Sequence, residues 1–143
     1  MTIAELTRRA RTAVGRYPQM KREAAEELSP EVTLFNREQM MAGITSEENP
    51  ISPAYSPYTQ HIKRLAGQPT DRVTLFSTGS FQEGMFTKVQ GDGLVTGSTD
   101  TKTDDLTAKY GEGIFGLTDT NADKLKRRSA ALLLARIRNI LKV

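Results

Sequence analysis

The chain has no cysteine, no tryptophan and a single histidine. The missing cysteine removes disulfides, zinc thiolates and cysteine nucleophiles together, and is compatible with either a reducing or an oxidising compartment. With His61 as the only imidazole, a histidine-rich metal centre is excluded and a Ser-His-Asp triad has one possible base. His61 stands beside Lys63 and Arg64, where an ordinary surface residue is expected. No run of about 18 apolar residues occurs, and the N-terminal stretch lacks an apolar segment of signal-peptide length, so a soluble product made in the cytoplasm is expected. There is no GxxxxGK phosphate loop, no HExxH and no EF-hand pattern. Gly91-Asp92-Gly93-Leu94-Val95-Thr96-Gly97 departs from the dinucleotide fingerprint in spacing and precedes strand-like residues, which makes it a hairpin turn. No cofactor is implied.

What is present is charge, unevenly placed. The net charge of +3 over 143 residues is modest, and a chain of this length buries roughly 68–70% of its unfolded surface in one core, so a single domain is expected. Residues 1–22 carry Arg8, Arg9, Arg11, Arg16, Lys21 and Arg22 against Glu5 alone, whereas residues 23–48 carry seven glutamates against Arg37 alone. A solvated helical surface accounts for this pattern. Head-to-tail association of copies, a basic helix on one meeting the acidic shoulder Glu23 to Glu48 of the next, is the sharper expectation.

Along residues 1–43, Thr2 and Glu5 form a capping box, and Ile3, Leu6, Ala10, Ala13, Tyr17, Met20 and Ala24 recur in steps of three and four. Gly15 and Pro18 predict a kink or a break in this helical arm or layer, and Ser29-Pro30 predicts the start of a further helix closed by Gly43. Residues 44–68 form a proline-rich loop with a short helix from Ser56-Pro57 to Gly67, carrying Tyr58, Ile62 and Leu65; its exposed tyrosines, Tyr55 and Tyr58, are candidate contact residues, and a docking peptide is the alternative for this stretch. From residue 69 the period falls to two. Arg72 to Phe76 predicts a strand, and residues 81–99 predict a hairpin, together an antiparallel meander of about three strands.

Asp100 to Lys109 predicts a short helix stopped by Gly111, with its aspartates as caps. Asp100, Lys102 and Asp104 have the residue types of a divalent-metal nuclease, a named alternative to capping. Lys109 to Asp119 then places Gly111, Gly113 and Gly116 around an apolar plug of Ile114, Phe115 and Leu117. The last helix, capped by Asp119 or Thr120, gathers Leu125, Leu132, Leu133, Ile137, Ile140 and Leu141 on one side and Lys124, Arg127, Arg128, Arg138 and Lys142 opposite. That basic face is a candidate for phosphate contact, with the steep salt dependence that counterion release brings. The whole predicts an α+β fold, a small antiparallel sheet covered by the C-terminal helix.

Thr78-Gly79-Ser80-Phe81, Tyr110-Gly111 and Phe115-Gly116-Leu117 ahead of a terminal amphipathic helix resemble tailed-phage virion-morphogenesis proteins of the tail-completion type, over about residues 70–143. Phenylalanine stands where leucine is usual, the proline before the terminal turn is missing, and the N-terminal helices have no clear counterpart. The resemblance implies a non-enzymatic α+β subunit in a ring at the head-to-tail junction or tail end of a virion. It would be partnered by copies of itself and by portal, neck or tail proteins, with assembly in the host cytoplasm.

Overall fold

The computed structural model describes residues 1–143. A capping box starts the first helix: Glu5 N–H donates to the Thr2 hydroxyl (3.1 Å) and Thr2 N–H to the Glu5 carboxylate (2.8 Å). From there helix α1 (Ile3–Met41) runs for 39 residues without a break, about 58 Å at 1.5 Å per residue. Of the kink or break expected near Gly15 and Pro18, the break is therefore corrected, and so is the separate helix expected from Pro30. Pro18 and Pro30 both lie on the exposed side of α1. There the carbonyls that lose a helical partner can bind water, which softens the cost of proline inside a helix.

After α1, the segment 44–68 begins with a turn closed by an Ile44–Pro50 bridge. It contains α2 (Pro57–Leu65), capped by Ser56, whose hydroxyl accepts from Thr59 N–H at 3.2 Å. Next come one helical turn, α3 (Ser80–Glu83), and the strands β1 (Met85–Gln90) and β2 (Gly93–Ser98). The strands pair antiparallel from Met85 with Ser98 to Gln90 with Gly93, leaving Gly91-Asp92 as the turn. Gly91 has φ +59°, and a two-residue hairpin turn of the II′ kind calls for glycine at that position.

The sheet has two strands, not three. Residues 72–76 alternate in polarity but join no strand, because their backbone groups are taken by side chains. The Tyr55 hydroxyl accepts from the N–H groups of Thr74 (3.0 Å) and Leu75 (3.3 Å), and the Thr74 carbonyl accepts from Gln82. Leu75 itself has φ +58°, outside strand geometry.

Helix α4 (Thr103–Tyr110) ends at Gly111, a single 3-10 turn spans Glu112–Ile114, and α5 (Asp119–Leu141) completes the chain. Thr118, one residue before the expected cap, is the N-cap of α5, its hydroxyl accepting from Asn121 N–H.

The long N-terminal helix, rather than α5, is what the hairpin packs on, which corrects the expected cover. β1 runs back along α1, tied by a Thr33–Thr87 hydroxyl contact at 2.8 Å and by Arg37, which reaches the Glu83 and Met85 carbonyls. α5 lies antiparallel along α1 on another side, with Leu125 packed between Leu28 and Val32. The main core gathers Met40, Ile51, Val73, Leu75, Phe81, Met85 and Ile114 at the C-terminal end of α1. Toward its N-terminus α1 outruns the hairpin, and residues 3–17 have only the end of α5 beside them.

Candidate functional site

The three motif segments come together. Thr78, Gly79, Phe81 and Tyr110 line one cavity of about 150 Å³, and the Phe115 ring packs on Phe81 at 5.8 Å. Gly79 is held at φ +91° with Phe76 3.1 Å from where a Cβ would stand, so glycine is required there. Ile114 is the buried plug, 1% exposed, and Leu117 packs on the second cluster, Leu28, Val32 and Leu125.

What fastens the plug is a pair of polar side chains on α1 that the sequence pattern did not single out. Buried Asn36 donates to the Ile114 carbonyl (2.9 Å) and accepts from Gly116 N–H (3.0 Å). Gln39 donates to the Gly116 carbonyl (3.0 Å) and accepts from Thr118 N–H (3.0 Å) and the Asn121 amide (2.7 Å). Two amides thus satisfy the irregular backbone between the 3-10 turn and α5, which buried polar groups require. The visible signal was two amides at a spacing of three on the same α1 face as Val32 and Met40. The motif residues form a packed joint between the two cores.

Tyr55, expected as a contact residue, is instead a half-buried pin for residues 74–75. Burial pushes its hydroxyl up, but the hydrogen bonds with Thr74, the charge of Lys63 and the Leu75 N–H outweigh this and hold it below the ordinary tyrosine value. Lys63 is buried, its ammonium donating to the Phe76 carbonyl and to Gln68 and lying 4.7 Å from the Tyr55 ring centre. α2 is consequently turned inside out: it buries a lysine and leaves Tyr58 (74%), Ile62 (47%) and Leu65 (77%) exposed, in one line at steps of four and three. Tyr58 is where the sequence placed it, in solvent, and so is His61.

Asp100 accepts from Lys102 N–H at 2.8 Å, and its backbone carbonyl accepts from the Thr103 hydroxyl at 2.7 Å, a turn that leads into α4. The Lys102 N–H, then the Ser80 hydroxyl and the Lys102 charge, hold its carboxyl below the usual range. Asp100, Asp104 and Asp105 are not gathered with a further ligand into a group of three that could hold a metal ion.

The basic residues divide into two sets. Arg128 pairs with Glu31 at 2.6 Å, and Arg136, unremarked in the sequence, bridges Glu23 (2.8 Å) and Glu27 (2.9 Å). Glu23, Glu27 and Glu31 of the acidic shoulder are therefore answered inside the same chain, whereas Glu38, Glu47 and Glu48 form no ion pair. Arg9 closes the end of the helix pair on the Leu141 carbonyl (3.4 Å), and Lys124 reaches toward the Phe35 ring at 6.0 Å. Arg8, Arg11, Arg127 and Arg138 are exposed and form no ion pair.

Beyond the hairpin the α1–α5 pair projects as an arm with a bare groove, about 350 Å³, lined by Ala10, Ala13, Val14, Tyr17, Ile137 and Leu141. Three of the seven expected seam residues on α1 (Ala13, Met20, Ala24) are buried, while Ile3 (85%) and Leu6 (40%), together with Val14 (75%) just beside the seam, face solvent. No helix of the structure is long and apolar enough to cross a membrane. No protein-family model matches the chain, and neither a curated protein nor a solved structure matches it significantly.

Proposed function

We propose that the chain is a non-enzymatic structural subunit of a tailed-phage virion, at the head-to-tail junction or the tail end, acting in assembly through protein contacts. The observation that carries an assembly role is apolar surface displayed on regular helices. Val14 is 75% exposed along the arm groove, and α2 turns Tyr58, Ile62 and Leu65 outward. Aligned apolar faces of this kind mark sites where another protein packs. The placement in a virion rests on the resemblance of residues 70–143 to tail-completion proteins. Its partners are copies of itself and the portal, neck or tail proteins, and it joins the particle from the host cytoplasm.

The test is removal of the chain from particle production. Filled heads without joined tails, or tails left unfinished, are expected, with restoration when the chain is supplied in trans; normal infectious particles would overturn the proposal.

A second reading, a basic DNA-binding accessory protein, is favoured by one observation: the arm, residues 1–22 and 130–143, holds nine Lys or Arg against Glu5 alone. A gel shift that weakens steeply with salt and is relieved by Arg8→Ala, Arg11→Ala and Arg138→Ala, with normal head-to-tail joining, would favour it.

A further inference from the structure

Three surfaces lack a partner within the chain: the arm groove, the outward face of α2, and the acidic corner at the far end of α1. The arm groove and the acidic corner fit each other. Ala10, Val14, Tyr17, Ile137 and Leu141 make an apolar floor between two helices. At 100° per residue, Arg11 lies on the α1 rim of that floor and Arg138 on the α5 rim. This is an apolar trough between two helices with a cation on each edge.

The same chain carries a helix face of the complementary kind. On the last turns of α1, Leu34 (50%), Glu38 and Met41 (37%) are exposed in one line at steps of four and three, the spacing by which a helix enters a groove. Ile44 (38%) continues the apolar surface, and Glu47 and Glu48 stand exposed next to it. Glu38, Glu47 and Glu48 form no ion pair, whereas Glu23, Glu27 and Glu31 are held by arginines of α5. Within the acidic shoulder, the carboxylates free to meet a neighbour are therefore these three.

Charge also decides against the symmetric arrangement. Two arms placed groove to groove would bring the unpaired Arg11 and Arg138 on the rims of one against the same two arginines of the other. The remainder of the chain, residues 23–129, carries eleven cations against sixteen carboxylates. The arm of one copy is attracted to the body of another and repelled by its arm.

We propose that the arm groove of one copy receives the Leu34–Glu38–Met41 face of α1 of the next copy, with Arg11 and Arg138 facing Glu38, Glu47 and Glu48. This rests on the assembly role proposed above and names its contact. Donor and acceptor surfaces lie at opposite ends of one helix, so the contact is heterologous. It propagates as a ring where the rotation closes and as an open chain where it does not. The apolar floor supplies the attraction, and the charges set direction and rate.

The absence of cysteine makes the test clean. Val14→Cys and Leu34→Cys each place one thiol on an exposed position, so the fold is not disturbed, which circular dichroism checks. The two full-length variants are mixed in equal amounts at millimolar concentration and low salt, oxidised, and resolved without reductant. The expected product is the mixed disulfide dimer, in several-fold excess over either homodimer and suppressed by high salt. Adding Arg11→Glu and Arg138→Glu to the first variant removes that excess, and adding Glu38→Arg and Glu47→Arg to the second restores it. Three dimers in the ratio of random collision would overturn the proposal, and so would Val14→Cys homodimers forming at least as readily as the mixed dimer. A chain found in particles whose mixed disulfide does not form there fails this inference and leaves the assembly role standing. A chain missing from particles fails the assembly role whichever disulfide forms.

Discussion

Replacing Asn36 with leucine is the most informative single perturbation of the fold, because the side chain is 1% exposed and serves the backbone twice. Leucine keeps the branch at Cγ but is the larger side chain, so no cavity is opened and some overpacking adds to the lost hydrogen bonds. The Ile114 carbonyl loses the donor it has at 2.9 Å, and Gly116 N–H loses the acceptor it has at 3.0 Å. A buried polar group left without its partner costs about 1–3 kcal/mol, so the two together should cost about 2–6 kcal/mol. Against the 5–15 kcal/mol or so that holds a domain folded, this is a large share.

Urea unfolding followed by circular dichroism measures it. The midpoint should fall with little change in slope, since the surface exposed on unfolding is nearly the same. The plug should loosen first, so amide exchange at Gly116 and Thr118 should accelerate more than in the hairpin. A loss of less than about 1 kcal/mol would refute the reasoning, because it would mean that these backbone groups find water or another partner without Asn36.

Three further outcomes follow from the same geometry. Leu125→Ala should cost about 2–5 kcal/mol in urea unfolding, because Leu125 is the α5 side chain buried between Leu28 and Val32 and the space cannot fully collapse. Tyr55→Phe should cost about 1–3 kcal/mol, leaving the Thr74 and Leu75 N–H groups without the hydroxyl that accepts from them, and a thermal midpoint equal to that of the parent would contradict the role assigned to Tyr55. Asp100 has a folded pKa below its ordinary 3.8, so its contribution is complete above that value and is lost as pH falls through the lowered folded pKa; in Asp100→Asn the acid-side decline in stability should be shallower than in the parent.

The parts of the fold that were legible in the sequence are those decided locally. The capping box at Thr2 and Glu5, the Ser56-Pro57 start of α2, the Gly91-Asp92 turn, the Gly111 stop and the amphipathic pattern of α5 all specify their own geometry within a few residues. The failures share a different cause, that the outcome was decided by a distant partner. Pro18 and Pro30 read as breaks because proline removes a donor, yet both sit on the solvent side of a helix that the hairpin and α5 hold in place. Residues 72–76 read as a strand because they alternate, but the Tyr55 hydroxyl and Gln82 compete for the backbone groups a strand needs.

The same division holds for the candidate surfaces. The basic arm could be seen as a count of charges, and Tyr58 as an exposed aromatic. That Tyr55 turns inward, that α2 buries Lys63, and that Arg136 meets Glu23 and Glu27 depend on elements brought from more than a hundred residues away or on the orientation of a whole helix. Asn36 and Gln39 were missed because buried amides on an apolar stripe look like interruptions until the backbone they serve is known. The spatial convergence of Thr78–Phe81 with Tyr110 and Phe115 was not readable either, since nothing local joins them.

The most direct measurement of the central claim is cryo-electron microscopy of the native particle, with the density at the head-to-tail junction and at the tail end resolved well enough to place α1. The account predicts several copies in a closed ring, each arm groove occupied by the α1 face of its neighbour. One copy per particle, or none, would contradict it.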